Sequence, residues 1–230
     1  MRPTELRGRR WLLAAPILAL LFGSSFLAAR NLLADPPLLR AAGALAAWNA
    51  APGRPPLAAW SEVHAALLRS AERLPSNPIT HELLGLVSLS RADDARHMRE
   101  SVGHFQAALL LRPHSAHTWA ALAQAQYLLG DTGAAFELAL VRAAKLGPAE
   151  PGVQRVAADY GLATWQHLSA EARAAVERLI AAGVRRDPAE MLQIAHRRGR
   201  LGVACRHLRG ASRPLDSKVS QLCQGTEALR

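Results

Sequence analysis

The sequence predicts an all-α protein made of stacked helical hairpins, and three observations lead to this fold class. Apolar residues recur at helical spacing in successive paired segments. Prolines end these segments at intervals of 38, 35 and 40 residues, at Pro75, Pro113, Pro148 and Pro188. No segment alternates apolar and polar residues with the period of two typical of strands. An irregular helical bundle without true repeats is the alternative, because the intervals are unequal.

Residues 117–148 contain the clearest hairpin. Each of its two helices carries an apolar face, with Trp119, Leu122, Ala123 and Tyr127 in the first and Ala135, Phe136, Ala139 and Ala143 in the second. Gly130 permits the left-handed conformation that ends a helix, and Asp131 is suited to cap the next one. Pro148 ends the second helix because it lacks an N–H. We therefore expect the two apolar faces to pack against each other.

The same pattern extends in both directions from this hairpin. Before Pro113, a Leu-Gly pair is followed by an aromatic residue and an alanine, at Leu84, Gly85, Phe105 and Ala108. After Pro148, Val153–Trp165 and Ala170–Val184 form another pair, and AEMLQIAHRRGRLGVACRHL forms a shortened one. The segment 41–66 either completes a first repeat or pairs with a second copy of the chain, and three prolines in AAPGRPPLAAW predict a stiff turn within it.

This order of residues resembles the tetratricopeptide repeat, a helical hairpin of about 34 residues. The matching positions are Trp119, Leu122, Ala123, Tyr127, Ala135, Phe136, Ala143 and Pro148, although Tyr127 lies one place late and the loop at Arg91–Arg96 is about four residues longer than the consensus. The resemblance implies a right-handed solenoid over residues 36–210 with a concave, peptide-binding surface on the first helix of each pair. The residues expected in this partner-binding groove are His81, Thr118, Gln124 and Gln126, with an ordinary surface position as the alternative for each.

The N-terminal region predicts a membrane anchor. Residues 1–10 carry four arginines and one glutamate, and residues 11–29 carry no charge. A 19-residue helix is about 28 Å long, close to the thickness of a bilayer core. The excess of arginines before the span leaves residues 1–10 in the cytoplasm and exports the remainder through a linker at 30–35. A cleaved signal peptide is the alternative, and it exports the same domain.

Composition predicts the compartment. Only Lys145 and Lys218 are lysine among 28 basic residues, and Ala and Leu dominate the helices, a usage that suggests a GC-rich bacterial genome. The expected location is the bacterial inner membrane, with one span and the helical domain in the periplasm, where disulfides persist. The two cysteines, Cys205 and Cys223, are suited to tether the C-terminal segment 211–230 by a disulfide, with a free pair as the alternative.

The sequence contains no constellation that predicts catalysis. His114 and His117 form an HxxH without a third ligand at a regular spacing, and the carboxylates of Asp93 and Asp94 are best explained as a helix cap. A serine-nucleophile elbow, a phosphate-binding glycine loop and a Cys/His pair at a helix start are missing from the sequence. The prediction is a non-enzymatic protein without cofactor or metal.

Charge supplies a second candidate site. The formal net charge is +10, and arginines cluster near the C-terminus, at Arg185, Arg186, Arg197, Arg198, Arg200, Arg206, Arg209 and Arg213. Guanidinium groups suit carboxylates and phosphates, so the cluster predicts either an acidic glycan or an anionic lipid as ligand, or simply a solvated surface. Nucleic acid is not expected, because the domain is exported and the arginines lack interleaved aromatic residues.

A narrower resemblance concerns the stretches RPHSAHTWAALAQAQYLLGD, AAKLGPAEPGVQRVAADYGLATW and RRDPAEMLQIAHRRGRLGVAC. Their order is similar to that of small, singly anchored repeat proteins found with bacterial polysaccharide biosynthesis, export or exosortase systems. This resemblance implies a scaffold that binds protein partners of an envelope assembly complex and carries no catalytic residue. The alternatives are an adaptor in cytochrome maturation, secretion or pilus assembly, and an arginine-rich binder of acidic glycan or lipid.

Overall fold

A computed structural model describes residues 36–51, 53–91, 94–208 and Cys223. These residues form ten α-helices and contain no strand, which confirms the predicted all-α class for this part of the chain. The helices are α1 (Pro36–Ala50), α2 (Leu57–Arg73), α3 (Pro78–Leu89), α4 (Ala95–Leu111), α5 (Ala116–Leu129), α6 (Ala134–Leu146), α7 (Pro151–Ala163), α8 (Ala170–Arg186), α9 (Pro188–Arg197) and α10 (Leu201–Cys205).

The helices pack as consecutive hairpins. The two helices of each hairpin pack on each other, α3 with α4, α5 with α6 and α7 with α8, and α4 packs about as extensively on α5 of the next hairpin. The first helices of neighbouring hairpins also contact one another, from α1 to α3, α5 to α7 and α7 to α9, and α6 contacts α8 among the second helices. Each hairpin therefore packs mainly on its neighbours in sequence, and the first helices share one side of the stack.

Three junctions between hairpins share one hydrogen-bond pattern. The carbonyl of the proline after the second helix lies 2.9 Å from a side-chain nitrogen six residues later. The three pairs are Pro75 with His81 Nε2, Pro113 with Trp119 Nε1, and Pro148 with Gln154 Nε2. Because a different side chain supplies the bond each time, the pattern belongs to the geometry of the junction.

Side-chain caps begin most of the first helices. Asn77 accepts a hydrogen bond from the backbone N–H of Ile79, and Ser115 accepts one from Thr118. Asp187 ends α8 and also caps α9, where it accepts the N–H of Glu190. Gly130 has φ +84° at the end of α5, as the sequence predicted. These caps satisfy N–H groups that have no partner inside a helix.

The apolar interior has two parts. A large core extends from Phe105 in α4 to Leu208, and a smaller cluster joins α1, α2 and α3 through Ala41, Trp60, Leu67, Leu84 and Val87. The prediction for α6 was wrong at Ala135, which is exposed. Because α6 begins at Ala134, its inner face falls instead on Phe136, Ala139, Leu140, Ala143 and Ala144.

The segment 41–66 contributes to a first hairpin, since α1 packs on α2. The predicted boundaries at 1–10, 11–29 and 30–35 lie outside the described residues, as does the 211–230 segment apart from Cys223. Among the helices that the structure does describe, none is both long and apolar enough to span a membrane.

Candidate functional site

A groove of about 290 Å³ crosses the first helices of three successive hairpins. We call it the α5–α7–α9 groove, after the helices that supply its side chains. It is lined by Gln124 from α5, by Arg155, Val156, Asp159 and Tyr160 from α7, and by Glu190, Gln193, Ile194 and Arg197 from α9. The stacking of these helices brings together residues that are more than 70 positions apart in the sequence.

Asp159 is one of two carboxylates in the groove. It accepts two parallel hydrogen bonds from Arg198, with Nε 2.8 Å from Oδ1 and Nη2 2.9 Å from Oδ2. This paired geometry is the strongest that a guanidinium and a carboxylate form. The hydrogen bond to Asp159 raises the pKa of Arg198. A second guanidinium, that of Arg197, approaches Asp159 Oδ1 only to 4.0 Å.

Glu190 is the second carboxylate, and it also meets two arginines. Arg186 Nη2 lies 2.6 Å from Glu190 Oε2, and Arg155 Nη1 lies 3.4 Å from Glu190 Oε1. Arg186 is held in turn by Gln154, whose Oε1 accepts a hydrogen bond of 3.0 Å from its Nε. Asp159 thus links α7 to the end of α9, and Glu190 links α9 to both α7 and α8.

Tyr160 forms part of the groove wall. Burial raises the pKa of its hydroxyl, and the neighbouring Asp159 raises it further, although a hydrogen bond with the Gln124 side chain acts in the opposite direction. The ring packs on Tyr127 with centroids 4.8 Å apart, and the Arg198 guanidinium lies 6.0 Å from its centre. Tyr160 therefore stays protonated near neutral pH and offers a neutral hydroxyl.

The structure separates the four residues predicted to bind a partner. Gln124 lines the groove. Thr118 and Gln126 are buried, and the Thr118 hydroxyl donates to Ser115 Oγ. His81 is half-buried, with Nε2 against the Pro75 carbonyl. Of these four residues, only Gln124 therefore faces the groove.

Among the other polar lining residues, sequence reasoning singled out only Arg197, as a member of the arginine cluster. Arg155 and Asp159 are four residues apart, and Glu190, Gln193 and Arg197 follow the spacing of one helix face. That periodicity was visible in the sequence. The sequence did not show that these faces of α7 and α9 meet. That contact comes from the packing of α9 on α7.

The predicted arginine cluster is divided by the fold. Arg186, Arg197 and Arg198 meet the two groove carboxylates, whereas Arg206 pairs with Glu177 of α8 at 2.7 Å. Arg185 and Arg200 make no ion pair or side-chain hydrogen bond with other described residues. Arg209 and Arg213 lie outside the described residues. The cluster is thus partly neutralised by carboxylates and does not act as one free cationic surface.

Cys205 and Cys223 are joined by a disulfide, with their Cα atoms 5.7 Å apart. Both side chains pack against the large core. Within the described part of the chain, no group of three or more His, Cys, Asp or Glu side chains is placed to hold a metal ion. His114 and His117 are exposed, and His117 Nε2 lies 3.5 Å from Glu150 of the next hairpin.

A histidine cluster lies where the first hairpin meets α4. His64 stacks on Trp60 with ring centroids 4.7 Å apart, and His97 approaches the same indole edge-on at 4.8 Å. His104 lies 5.9 Å from His81. Burial, and then the nearby His81 and His64, lower the pKa of His104 to about 4. Two of the four histidines come from α2 and α3, and the other two, His97 and His104, lie seven residues apart on α4.

The chain matches no protein-family model and is similar to no curated protein.

Proposed function

We propose that this protein is a non-catalytic, membrane-anchored scaffold whose helical hairpins form a tetratricopeptide-like solenoid and whose α5–α7–α9 groove binds a segment of a protein partner. The observation that carries this proposal is the groove itself, which three successive first helices build together. In repeat proteins of this kind, the stacked first helices supply an extended binding surface that no single hairpin offers.

The composition of the groove supports a peptide ligand. Its surface combines the apolar Val156 and Ile194 with the amides of Gln124 and Gln193 and with charged groups. Amide side chains donate and accept hydrogen bonds, as the backbone of an extended peptide requires. The regular Pro-carbonyl bonds at three junctions support the repeat architecture that holds these helices in register.

The cellular setting of the proposal rests on the sequence. A span at residues 11–29 places the helical domain in the bacterial periplasm, where the bond between Cys205 and Cys223 would persist. The resemblance to repeat proteins of polysaccharide systems favours an adaptor in surface polysaccharide biosynthesis or export. Cytochrome maturation, secretion and pilus assembly are the alternative processes. The ion pairing of Arg186, Arg198 and Arg206 disfavours direct binding of an acidic glycan or lipid.

Site-specific photo-crosslinking of the full-length protein in its native membranes tests this function. A photoreactive residue replaces Gln193, which is exposed in the groove, and in a matched control it replaces Arg142, which is exposed on α6. We expect position 193 to capture a component of a polysaccharide assembly or export complex that position 142 does not capture. No adduct at position 193, or the same adducts at both positions, would contradict the proposal.

A further inference from the structure

We propose that the partner segment in the α5–α7–α9 groove is an acidic peptide, whose carboxylates bind Arg155 and Arg197. This inference rests on the proposed function, because it names the chemistry of the occupant of the same groove.

The groove has an excess of positive charge. Two carboxylates, Asp159 and Glu190, meet four guanidinium groups in and beside the groove. Asp159 is shared by Arg197 and Arg198 at the end of α9, and Glu190 is shared by Arg186 of α8 and Arg155 of α7. The site therefore holds two more positive than negative charges, and an incoming anion would reduce the repulsion among the guanidinium groups.

The excess positive charge is carried by Arg155 and Arg197. Asp159 and Glu190 are held tightly by Arg198 at 2.8 Å and Arg186 at 2.6 Å. The other contacts, from Arg197 at 4.0 Å and Arg155 at 3.4 Å, are long. Both oxygens of Asp159 accept hydrogen bonds from Arg198, whereas Glu190 accepts the short hydrogen bond of Arg186 at Oε2 and the long one of Arg155 at Oε1. Arg155 and Arg197 are thus the two loosely held cations.

Exposure agrees with the distances. The side chains of Arg155 and Arg197 are 54% and 56% exposed, whereas those of Arg186 and Arg198 are 34% and 30% exposed. Loosely paired, exposed ion pairs contribute little to stability, so exchanging such a partner costs little. A ligand carboxylate can therefore engage Arg155 and Arg197 while Asp159 and Glu190 keep their inner arginines.

The lining favours a peptide over an acidic glycan. It includes the apolar Val156 and the buried Ile194, and it includes amide groups from Gln124 of α5 and Gln193 of α9. This combination suits aliphatic side chains and a peptide backbone better than the hydroxyl-rich surface of a sugar chain. The arrangement favours a short segment that carries both acidic and aliphatic residues.

Selection from a random 12-residue peptide display library against the full-length protein tests the inference. Binding of the selected peptides is then measured for Arg155→Gln/Arg197→Gln and for Arg142→Gln/Arg178→Gln. The second pair removes the same charge from exposed positions on α6 and α8, outside the groove. A third variant, Gln193→Trp, fills the groove without changing its charge.

We expect the selected peptides to carry two or more acidic residues and to bind the groove double variant about tenfold or more weakly, because two charge-assisted contacts are lost. The control pair should change binding less than about twofold. Replacing the acidic residues of a selected peptide by Asn and Gln should weaken its binding to the wild-type protein as strongly as Arg155→Gln/Arg197→Gln weakens binding of the unchanged peptide.

The other outcomes overturn the inference in distinguishable ways. If the selected peptides are not acidic and lose binding to Gln193→Trp, the groove binds peptides, but the inference that the peptide is acidic is overturned. Acidic peptides indifferent to Arg155→Gln/Arg197→Gln would bind elsewhere. Binding of an oligouronate, but of no peptide, with the same arginine dependence would assign the groove to a glycan. No ligand sensitive to any groove variant would overturn the proposed function as well.

Discussion

At the scale of single residues, close packing at glycines holds the hairpins together. A Cβ at Gly161 would lie 2.6 Å from Cγ2 of Val176, and one at Gly85 would lie 2.5 Å from the Phe105 ring. Both neighbours are fully buried. Val176 is the less adaptable of the two, because a β-branched side chain has essentially one χ1 rotamer in a helix. The two glycines therefore set how closely α3 approaches α4 and α7 approaches α8.

The Gly161→Ala variant should lower the free energy of unfolding by about 1–3 kcal/mol, because the added methyl group overpacks the interface. Gly103→Ala is the matched control, since a Cβ there meets nothing within 4 Å on an exposed turn of α4. That change should instead raise stability by about 0.5–1 kcal/mol through helix propensity. Urea unfolding of both variants measures the difference, and equal effects would contradict the packing argument.

The histidine cluster makes stability depend on pH. His104 has a pKa of about 4 in the folded protein, lowered mainly by burial, whereas a histidine side chain in the unfolded chain has a pKa of 6.5. Burial also lowers the pKa of His64, although Glu100 acts against it. Asp94, 3.4 Å from His97 Nδ1, is the other carboxylate beside the cluster, and Arg91, 5.8 Å from the centre of the Trp60 ring, is the cation beside it.

The unfolded state binds more protons than the folded state at His104 between pH 6.5 and about 4. The free energy of unfolding should therefore fall as pH falls through this window, by on the order of 1–2 kcal/mol, since His104 is partly exposed and solvent screens it. Urea unfolding at pH 7.5, 5.5 and 4.5 measures the slope. His104→Gln should reduce it, whereas the exposed His114→Gln should not. An unchanged slope in His104→Gln would contradict this assignment.

At the scale of elements, the junctions between hairpins decide how one pair of helices meets the next. Gln154 lies at the junction between the α5–α6 hairpin and the α7–α8 hairpin. Its Nε2 donates to the Pro148 carbonyl at 2.9 Å, and its Oε1 accepts from Arg186 Nε at 3.0 Å. The side chain is buried, so both partners depend on it.

Replacing Gln154 by Leu should lower the free energy of unfolding by about 1–2 kcal/mol, because it removes the two hydrogen bonds that this buried side chain makes. Gln106→Leu, at an exposed position of α4, is the control and should have almost no effect. Thermal unfolding followed by circular dichroism compares the two. A neutral Gln154→Leu would mean that the junction does not depend on this side chain.

At the scale of the whole molecule, the two apolar clusters predict unequal local stability. The cluster joining α1, α2 and α3 contains five buried apolar residues, and the large core contains many more. In stacked repeats each hairpin is stabilised by its neighbours, so a weak end opens without the rest. Trp60, whose Nε1 donates to the Val87 carbonyl at 2.8 Å, is the main link within the weak end.

Hydrogen exchange of the full-length protein should show α1 and α2 exchanging faster than α5 to α8. Leu67→Ala, in the small cluster, should speed exchange only in α1, α2 and α3. Leu140→Ala, in the large core, should lower protection throughout α5 to α8. Each substitution should reduce the stability of its own apolar cluster by about 2–5 kcal/mol. Uniform exchange, or a global response to Leu67→Ala, would contradict this division.

Local features of the chain were predictable because they depend on neighbours in sequence. The α-helical class, the break at Gly130 and the cap at Asp94 each follow from a few adjacent residues. The buried face of α6 was not fully predictable from local sequence, as Ala135 shows. Its hydrophobicity is compatible with either side of α6, and the exact phase of the helix puts it in solvent.

The candidate site could not be predicted in the same way. Gln124 was identified from its place on a first helix, but Thr118 and Gln126 on that helix are buried by neighbouring helices. The pairing of Asp159 with Arg198 spans 39 residues, and no spacing rule connects them. Contacts of this kind follow from the angle and register at which α7 and α9 meet.

The helical character of the chain, the ends of most helices and the positions of the charged residues follow from the amino-acid sequence alone. They do so because helix periodicity, capping and proline chemistry act over a few residues. The packing of the helices determines which arginines are neutralised, leaving Arg155 and Arg197 loosely held at the groove, and which histidines share a buried cluster. These properties depend on distances between helices, since both ion pairing and desolvation change steeply over a few ångströms.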